Sequence, residues 1–246
     1  MIEYFTFFHR KEHKDREDVI RFSFADSANF AVKIPRVLPH SLQIRYHTPM
    51  LEWFPKPHAL AKYLDTLGQP ANNFNPEQPV DNTWHVDQHE IPLGFDQKPG
   101  PDQEGLFERA VHLLLRYQFY PASVLHHTSD FARENRALRF GDRIVQRIHA
   151  IPLLLDVVTM NRITATLAEP NRIGFTYTTT EHHLEMGEWT ATVIRKRDQQ
   201  VSLVMHAISK PGPKMPRWAL PFSRAVQLRA HRLGMENFKE NVGRRT

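Results

Sequence analysis

Tyr177, His183, Glu185 and Glu188 fall within twelve residues of one another. A histidine beside carboxylates can carry a proton to or from a reacting group when burial brings its pKa near the working pH, so this stretch is where hydrolase-like or other acid–base chemistry would sit. The motifs that would anchor such chemistry are missing: the chain contains no G-x-S-x-G, and its residue order assigns no Ser-His-Asp constellation. A loop rich in histidine and glutamate also suits a solvated turn. No catalytic residue is therefore assigned.

Fifteen histidines raise the question of a metal. His85 and His89 are spaced i, i+4, which on a helix would put two ligands on one side. The surrounding WHVDQHEI reads as a strand, however, and four residues of strand span about 13 Å, too far for one ion. His126-His127 and His182-His183 are adjacent pairs that point apart in extended chain, and neither H-E-x-x-H nor a cysteine-based spacing occurs. Ten glycines supply no G-x-G-x-x-G and no Walker sequence. Neither a metal nor any other cofactor is expected. The absence of cysteine excludes disulfides and thiol chemistry.

The elements that would position these residues show in the hydropathy pattern. In RIGFTYTTT, Ile173, Phe175, Tyr177 and Thr179 share one face, the period of two of a half-buried strand. EWTATVIRK repeats this with Trp189, Ala191 and Val193, and QVSLVMHA with Val201, Leu203, Met205 and Ala207. The upstream DVVTMNRITATL is β-branched enough to be their neighbour. Turn chemistry at Ala168–Asn171 and Asp198–Gln200 makes the connections short, and short connections force antiparallel pairing. A proline-started amphipathic stretch follows, from Pro216 or Pro221 to about Asn241. Phe222, Ala225, Val226, Arg229, Ala230 and Leu233 track one stripe of it, and a helix of about 20 residues spans roughly 30 Å.

The first half is less regular. IRFSFAD and NFAVKIP read as strands, and MIEYFTFF as an additional strand or a partner-binding edge. A proline-punctuated stretch follows, then a short helix at 58–67 and a loop, QPANNFNPEQPVDN. A helix begins at Pro101-Asp102, with Asp102 as its N-cap and Leu106, Phe107, Ala110, Leu113, Leu114 and Tyr117 on one face. ASVLHHTS and RIVQRIHAI read as further strands. The chain divides into an N-terminal extension, 1–57, with strands that could extend the same sheet, and a domain over 58–246.

With 246 residues and 41% hydrophobic content the chain can bury a core. No apolar run approaches the roughly 18 residues of a membrane span, and the N-terminus lacks the pattern of a secretory signal, so a cytoplasmic location is expected. The net charge is +5 with histidine neutral, and its basic excess collects from Arg217 onward. Cations near a helix C-terminus complement its dipole. Without aromatic interleaving they do not call for nucleic acid, and none is expected.

The string RIGFTYTTTEHHLEMGEW resembles the signature stretch of the family numbered nineteen-ninety among the domains of unknown function, with its Gly-Phe-x-Tyr-Gly-Thr segment followed by His-Pro-Glu-x-Gly-Glu. Downstream, HAISKP is similar to that family's Ala-x-Ser-Arg-Pro, with Ser209 and Pro211 matching, and Arg224 and Gln227 fall where the family has an Arg and a Gln. Upstream, VDQHEIPLGFDQ and FERAVHLLLRYQFYP resemble its strand, Leu-Gly turn and helix. The likeness covers about residues 58–240. Thr178, Leu184, Trp189 and Lys210 depart from it, replacing a Gly, a Pro, a second Glu and an Arg, so any site needing that second acid or that arginine would differ here.

The resemblance implies an α+β fold of the helix-grip, START-like kind shared with the birch-pollen allergen, in which a curved antiparallel sheet wraps a long C-terminal helix around an apolar cavity. The function expected from it is non-catalytic binding of an apolar or amphipathic small molecule. Phe175, Tyr177, Trp189, Val193, Leu203 and Met205 would face Phe222 and Val226, with His183, Glu185, Glu188, Ser209 and Arg224 as polar groups to orient the ligand. The alternative is an acid–base enzyme using Tyr177, His183, Glu185 and Glu188. The partners to consider are an apolar small-molecule ligand and a second copy of the chain in a homodimer.

Overall fold

A computed structural model of the protein describes residues 17–23, 29–35, 50–53, 60–96, 104–151 and 155–244. The opening MIEYFTFF, most of the proline-punctuated stretch and the expected helix start at Pro101-Asp102 lie outside the described residues. Two compact units are present. One comprises residues 1–46 with 216–222, and the other residues 47–215 with 223–246.

In the first unit, β1 (Glu17–Ser23) and β2 (Asn29–Pro35) pair antiparallel, from Glu17 opposite Pro35 to Ser23 opposite Asn29. They form a two-stranded sheet of their own. Trp218 and Phe222 also belong to this unit, and their rings lie 5.6 Å apart.

The second unit is α+β. Its elements are β3 (Met50–Trp53), α1 (Ala61–Thr66), β4 (His85–Phe95), α2 (Leu106–Leu115), β5 (Leu125–Ser129), α3 (Asp130–Arg133), β6 (Arg143–Ile151), β7 (Leu155–Glu169), β8 (Arg172–Thr179), β9 (Glu185–Arg195), β10 (Gln200–Pro211) and α4 (Leu220–Gly243), of which α4 enters the unit at Ser223. The strands form one eight-stranded sheet in the order β4-β10-β9-β8-β7-β6-β5, with β3 pairing to the start of β7. Every ladder is antiparallel. From β5 to β10 each strand pairs with its chain neighbour, as the short turns require. Among the described residues no helix is long and apolar enough to cross a membrane.

Register decides which side chains share a face, because residues directly opposite one another point the same way and successive residues alternate. Asp87, Ala207, Trp189, Tyr177 and Ile163 lie in successive opposed pairs across β4, β10, β9, β8 and β7. They define an inner face that also carries Met205, Leu203, Ala191, Val193 and Phe175. The faces expected for β8, β9 and β10 are those observed, and these residues join one buried core. The opposite face takes α1, whose Tyr63 and Leu64 pack with Val145, Val158 and Met160.

Two helices close the inner face. From α2, Phe107, Ala110 and Leu114 are buried, matching the expected spacing. Its start differs from expectation. The N-cap position is Gly105, which offers no side chain, and the carboxylate of Asp96 accepts from the Leu106 N–H at 2.8 Å instead. That supplies the acceptor an N-cap residue would have given. The helix ends at Leu115. Tyr117, expected on its stripe, lies beyond the end in the left-handed region (φ 59°), where it turns a fully buried ring back into the core.

In α4 the buried face is not the expected one. Ala225 is exposed and Val226, Arg229, Ala230 and Leu233 are half-buried, whereas His231, Gly234, Phe238 and Val242 are buried in line with half-buried Gln227. The apolar stripe visible in the sequence lost to a mixed one because the sheet beneath α4 offers charged and polar partners. Gly234 lets the helix come close: a Cβ there would sit 2.2 Å from the Phe119 ring, which is itself fully buried. Substituting alanine for glycine inside a helix ordinarily gains about 1 kcal/mol. At Gly234 the clash outweighs that gain, so Gly234→Ala should lower the urea midpoint; an unchanged or raised midpoint would show that α4 does not seat on Phe119 this closely.

Candidate functional site

The polar groups beneath α4 come from three strands and one helix. Asp87 is an inner-face residue of β4, Ser209 of β10 and Glu185 of β9, and α4 lowers Arg224, Gln227 and His231 onto them. Arg224 grips Asp87 with two parallel bonds, Nη1 to Oδ2 at 2.6 Å and Nη2 to Oδ1 at 2.5 Å. Its Nη1 also donates to Gln227 Oε1 at 2.6 Å. Gln227 Nε2 then donates to Ser209 Oγ at 2.7 Å and reaches Glu185 Oε2 at 3.4 Å. The bidentate fork is the strong form of such a pair. His231 Nδ1 stands 3.7 Å from Asp87, with the His89 ring close by.

These contacts set the charge states. The hydrogen bond from Arg224 holds the Asp87 carboxyl below its ordinary range, against the opposing effect of burial. Glu185 has no such partner. Burial pushes its carboxyl from an ordinary 4.5 up to about 7, Arg224 lowers it and Asp87 raises it. His231 is pushed down to about 4 by burial. His183 is likewise pushed down to about 4 by burial, and its Nδ1 lies 3.0 Å from the Glu185 backbone nitrogen and 3.2 Å from the Glu185 carbonyl oxygen.

Beside this cluster the inner face turns aromatic. Trp189 stacks on Tyr177 with ring centres 5.2 Å apart and planes 17° from parallel, and it meets Phe119 edge-on at 5.1 Å. Tyr117 lies beside Tyr177 and Tyr120 beside Trp189, each pair with ring centres 6.3 Å apart, and burial pushes the Tyr177 hydroxyl up to about 12. Gln146 on β6 donates to the Tyr117 hydroxyl at 2.5 Å and accepts from Asn161 Nδ2 at 3.0 Å. Three atoms in this group are buried with no hydrogen-bond partner: Trp189 Nε1, Asn161 Oδ1 and Thr159 Oγ1. A buried polar atom left so costs about 1–3 kcal/mol, and such atoms are few in native structures.

Of the residues singled out from sequence, Phe175, Tyr177, Trp189, Val193, Leu203 and Met205 are all buried on the inner face, and Val226 is half-buried on α4. Phe222 lies in the first unit beside Trp218. Glu185, Ser209 and Arg224 meet through Gln227, and His183 adjoins Glu185. Glu188 does not join them. It opposes Thr178 and Ile208, so it points from the other face, where burial raises its carboxyl and His206 lowers it. The four candidate acid–base residues are thereby split across the sheet. His85 and His89 stand on β4 as expected, and among the described residues no three metal-ligating side chains converge.

Sequence reasoning missed Asp87, His231, Tyr117, Gln146 and Asn161. A signal existed for the first. In WHVDQHEI the inner positions are His85, Asp87 and His89, a polar inner face that demands partners from whatever covers it.

Removing Arg224 leaves a buried carboxylate unpaired, which costs about 3–5 kcal/mol. Arg224→Met should therefore destabilise more than Asp87→Ala, since Arg224 is 28% exposed and Asp87 only 8%; the double variant should regain much of the loss, and purely additive effects would exclude the coupling. Glu185 makes a different prediction. Its folded pKa exceeds its unfolded value, so its contribution is intact below pH 4.5 and falls as the pH climbs to about 7. His183 and His231 act with the opposite sign, losing stability as pH falls from 6.5 to about 4. The stability of Glu185→Gln relative to the natural chain should then increase across pH 4.5 to 7, read from urea midpoints; a constant difference would contradict a proton held at Glu185.

Solved structures align with the chain at low identity. A hypothetical protein from Helicobacter pylori aligns at 10% identity and a TM-score of 0.44, covering 64% of this chain and 86% of that one. A protein from Rhizobium leguminosarum aligns at 11% identity and a TM-score of 0.39, covering 66% and 99%. One from Arthrobacter aurescens gives 12% identity and a TM-score of 0.39, covering 64% and 85%. No curated protein matches the chain. Residues 69–237 match the family described as Domain of unknown function (DUF1990), a span that holds Asp87, Gly187, Ser209, Arg224 and Gln227, and the chain belongs to that family.

Proposed function

We propose that the protein binds an amphipathic small molecule between the inner face of its sheet and α4, without catalysis, in a helix-grip arrangement of the START-like kind. The observation that carries this reading is the pairing of an aromatic wall with buried polar atoms that lack partners. Phe175, Tyr177, Trp189 and Met205 make this part of the interior apolar, while Trp189 Nε1 can donate and Asn161 Oδ1 and Thr159 Oγ1 can accept. Ligand sites have this composition, mostly apolar with a few polar groups to fix orientation. Tyr120 and Ile91 beside the wall are only half-buried, which suits an entry route.

An acid–base reaction has less support. Of the four residues weighed for it, Glu188 emerges on the opposite face from Tyr177 and Glu185, and His183 Nδ1 lies against the Glu185 backbone. The cytoplasmic setting expected from sequence suits a carrier or sensor of small amphiphiles.

Native mass spectrometry of gently purified protein should reveal a bound small molecule, and a panel of sterols, long-chain alcohols and aromatics should contain compounds that raise the melting temperature. At a hundredfold excess over Kd, stabilisation reaches about 2.7 kcal/mol. A chain that retains nothing and is stabilised by nothing in such a panel does not do this job.

A further inference from the structure

We infer that the ligand's polar end is neutral, a hydroxyl or carbonyl group rather than a carboxylate or phosphate; this rests on the binding reading above and narrows it. The polar groups gathered around Tyr177 are Tyr117, Tyr120, Gln146, Asn161 and, at longer range, Glu185. None carries positive charge. Tyr117 and Tyr177 are held protonated by burial, and the histidine beside Tyr117, His127, is kept neutral, its pKa pushed down to about 4 by burial and then by His126.

Two guanidiniums on this side of the sheet are already engaged, Arg195 by Asp96 and Glu108 and Arg224 by Asp87. Arg224 spends both terminal nitrogens on Asp87 and one of them again on Gln227. Freeing it would strand the Asp87 carboxylate, which is 8% exposed. An anionic head placed near Tyr177 would also approach Glu185, whose charge already raises the Tyr177 hydroxyl. Desolvating an ion with no counter-charge is far more costly than desolvating a hydroxyl that finds hydrogen bonds.

A hydroxyl matches what the site offers. Asn161 Oδ1 can accept a hydroxyl's hydrogen, and Trp189 Nε1 can donate to a hydroxyl or carbonyl oxygen. A carboxylate can only accept. It would leave Asn161 Oδ1 without a partner and set its charge against that oxygen, and sites built this way discriminate by leaving groups unpaired in the wrong ligand.

The test uses the full chain at pH 8 and two matched pairs, 1-dodecanol against dodecanoate and 2-naphthaleneethanol against 2-naphthaleneacetate, with binding read by thermal shift and by Trp fluorescence. The alcohol of at least one pair should bind about tenfold or more tightly than its acid. Asn161→Leu should erase much of that preference. Should that variant fail to fold, Trp189→Phe keeps a ring in the stack while deleting the donor, and it should weaken the alcohol by about three- to tenfold without strengthening the acid. An acid that binds as well as its alcohol overturns the neutral-head inference and leaves the binding reading standing. If no member of either pair binds, both fall together.

Discussion

Asp87 places a carboxylate on the side of the sheet that α4 covers, and the seating of the helix follows from the need to answer that charge. Burial of an ion without a partner is among the costliest events in folding. Arg224 meets it with a two-pronged bond, and Gln227 carries the same network on to Ser209 and Glu185. One turn further His231 comes over Asp87, and only after that do Gly234, Phe238 and Val242 pack by shape against apolar neighbours. The helix is thus held by polar chemistry at one end and by close packing at the other. An ion pair of this sort adds little net stability over an apolar replacement, but it specifies which face of a helix points inward.

How far this was legible depends on which principle governed each element. Strands β8, β9 and β10 could be read to the residue because their period of two is imposed by burial of one face alone, and Phe175, Trp189 and Leu203 obey it. The same counting went astray on α4. Hydropathy ranks Val226 and Ala225 as inward residues, but Arg224, Gln227 and His231 face the sheet because Asp87 and Ser209 await them, and Asp87 is 137 positions from its arginine. No local pattern reports a partner at that range. The split between Glu185 and Glu188, by contrast, was available in principle. They are an odd number of residues apart, so once β9 begins at Glu185 they must emerge on opposite sides.

The inner face is two surfaces joined at Tyr177. Toward β4 and β10 it is ionic, with Asp87, Arg224, Gln227 and Ser209 bonded in one chain. Toward β6 and β7 it is uncharged, built from amides and hydroxyls, and incompletely satisfied. Glu185 stands at the junction and is the one member of the ionic group without a strong donor, which is why burial raises its carboxyl rather than its neighbours lowering it. Gly187, two residues on, keeps this junction tight. Its φ of 155° and the approach of the Ile208 carbonyl, 1.9 Å from where a Cβ would lie, leave no room for any other residue there.

The strand order carries a consequence for how the chain assembles. From β5 to β10 every strand is laid beside the one synthesised just before it, so that meander can accrete by local steps. Strand β4 departs from this, as β3 does in pairing with β7, since it precedes all of these in the chain yet pairs with β10, the last strand made. Closing the roughly 105 residues between Phe95 and Gln200 costs about 4 kcal/mol of chain entropy before any contact compensates it. Until β10 emerges, Asp87 stays hydrated on an unpaired segment, and its neutralising arginine leaves the ribosome later still. The edge of the sheet and its ionic latch therefore form last, making them the part of the molecule most exposed to arrest during biogenesis.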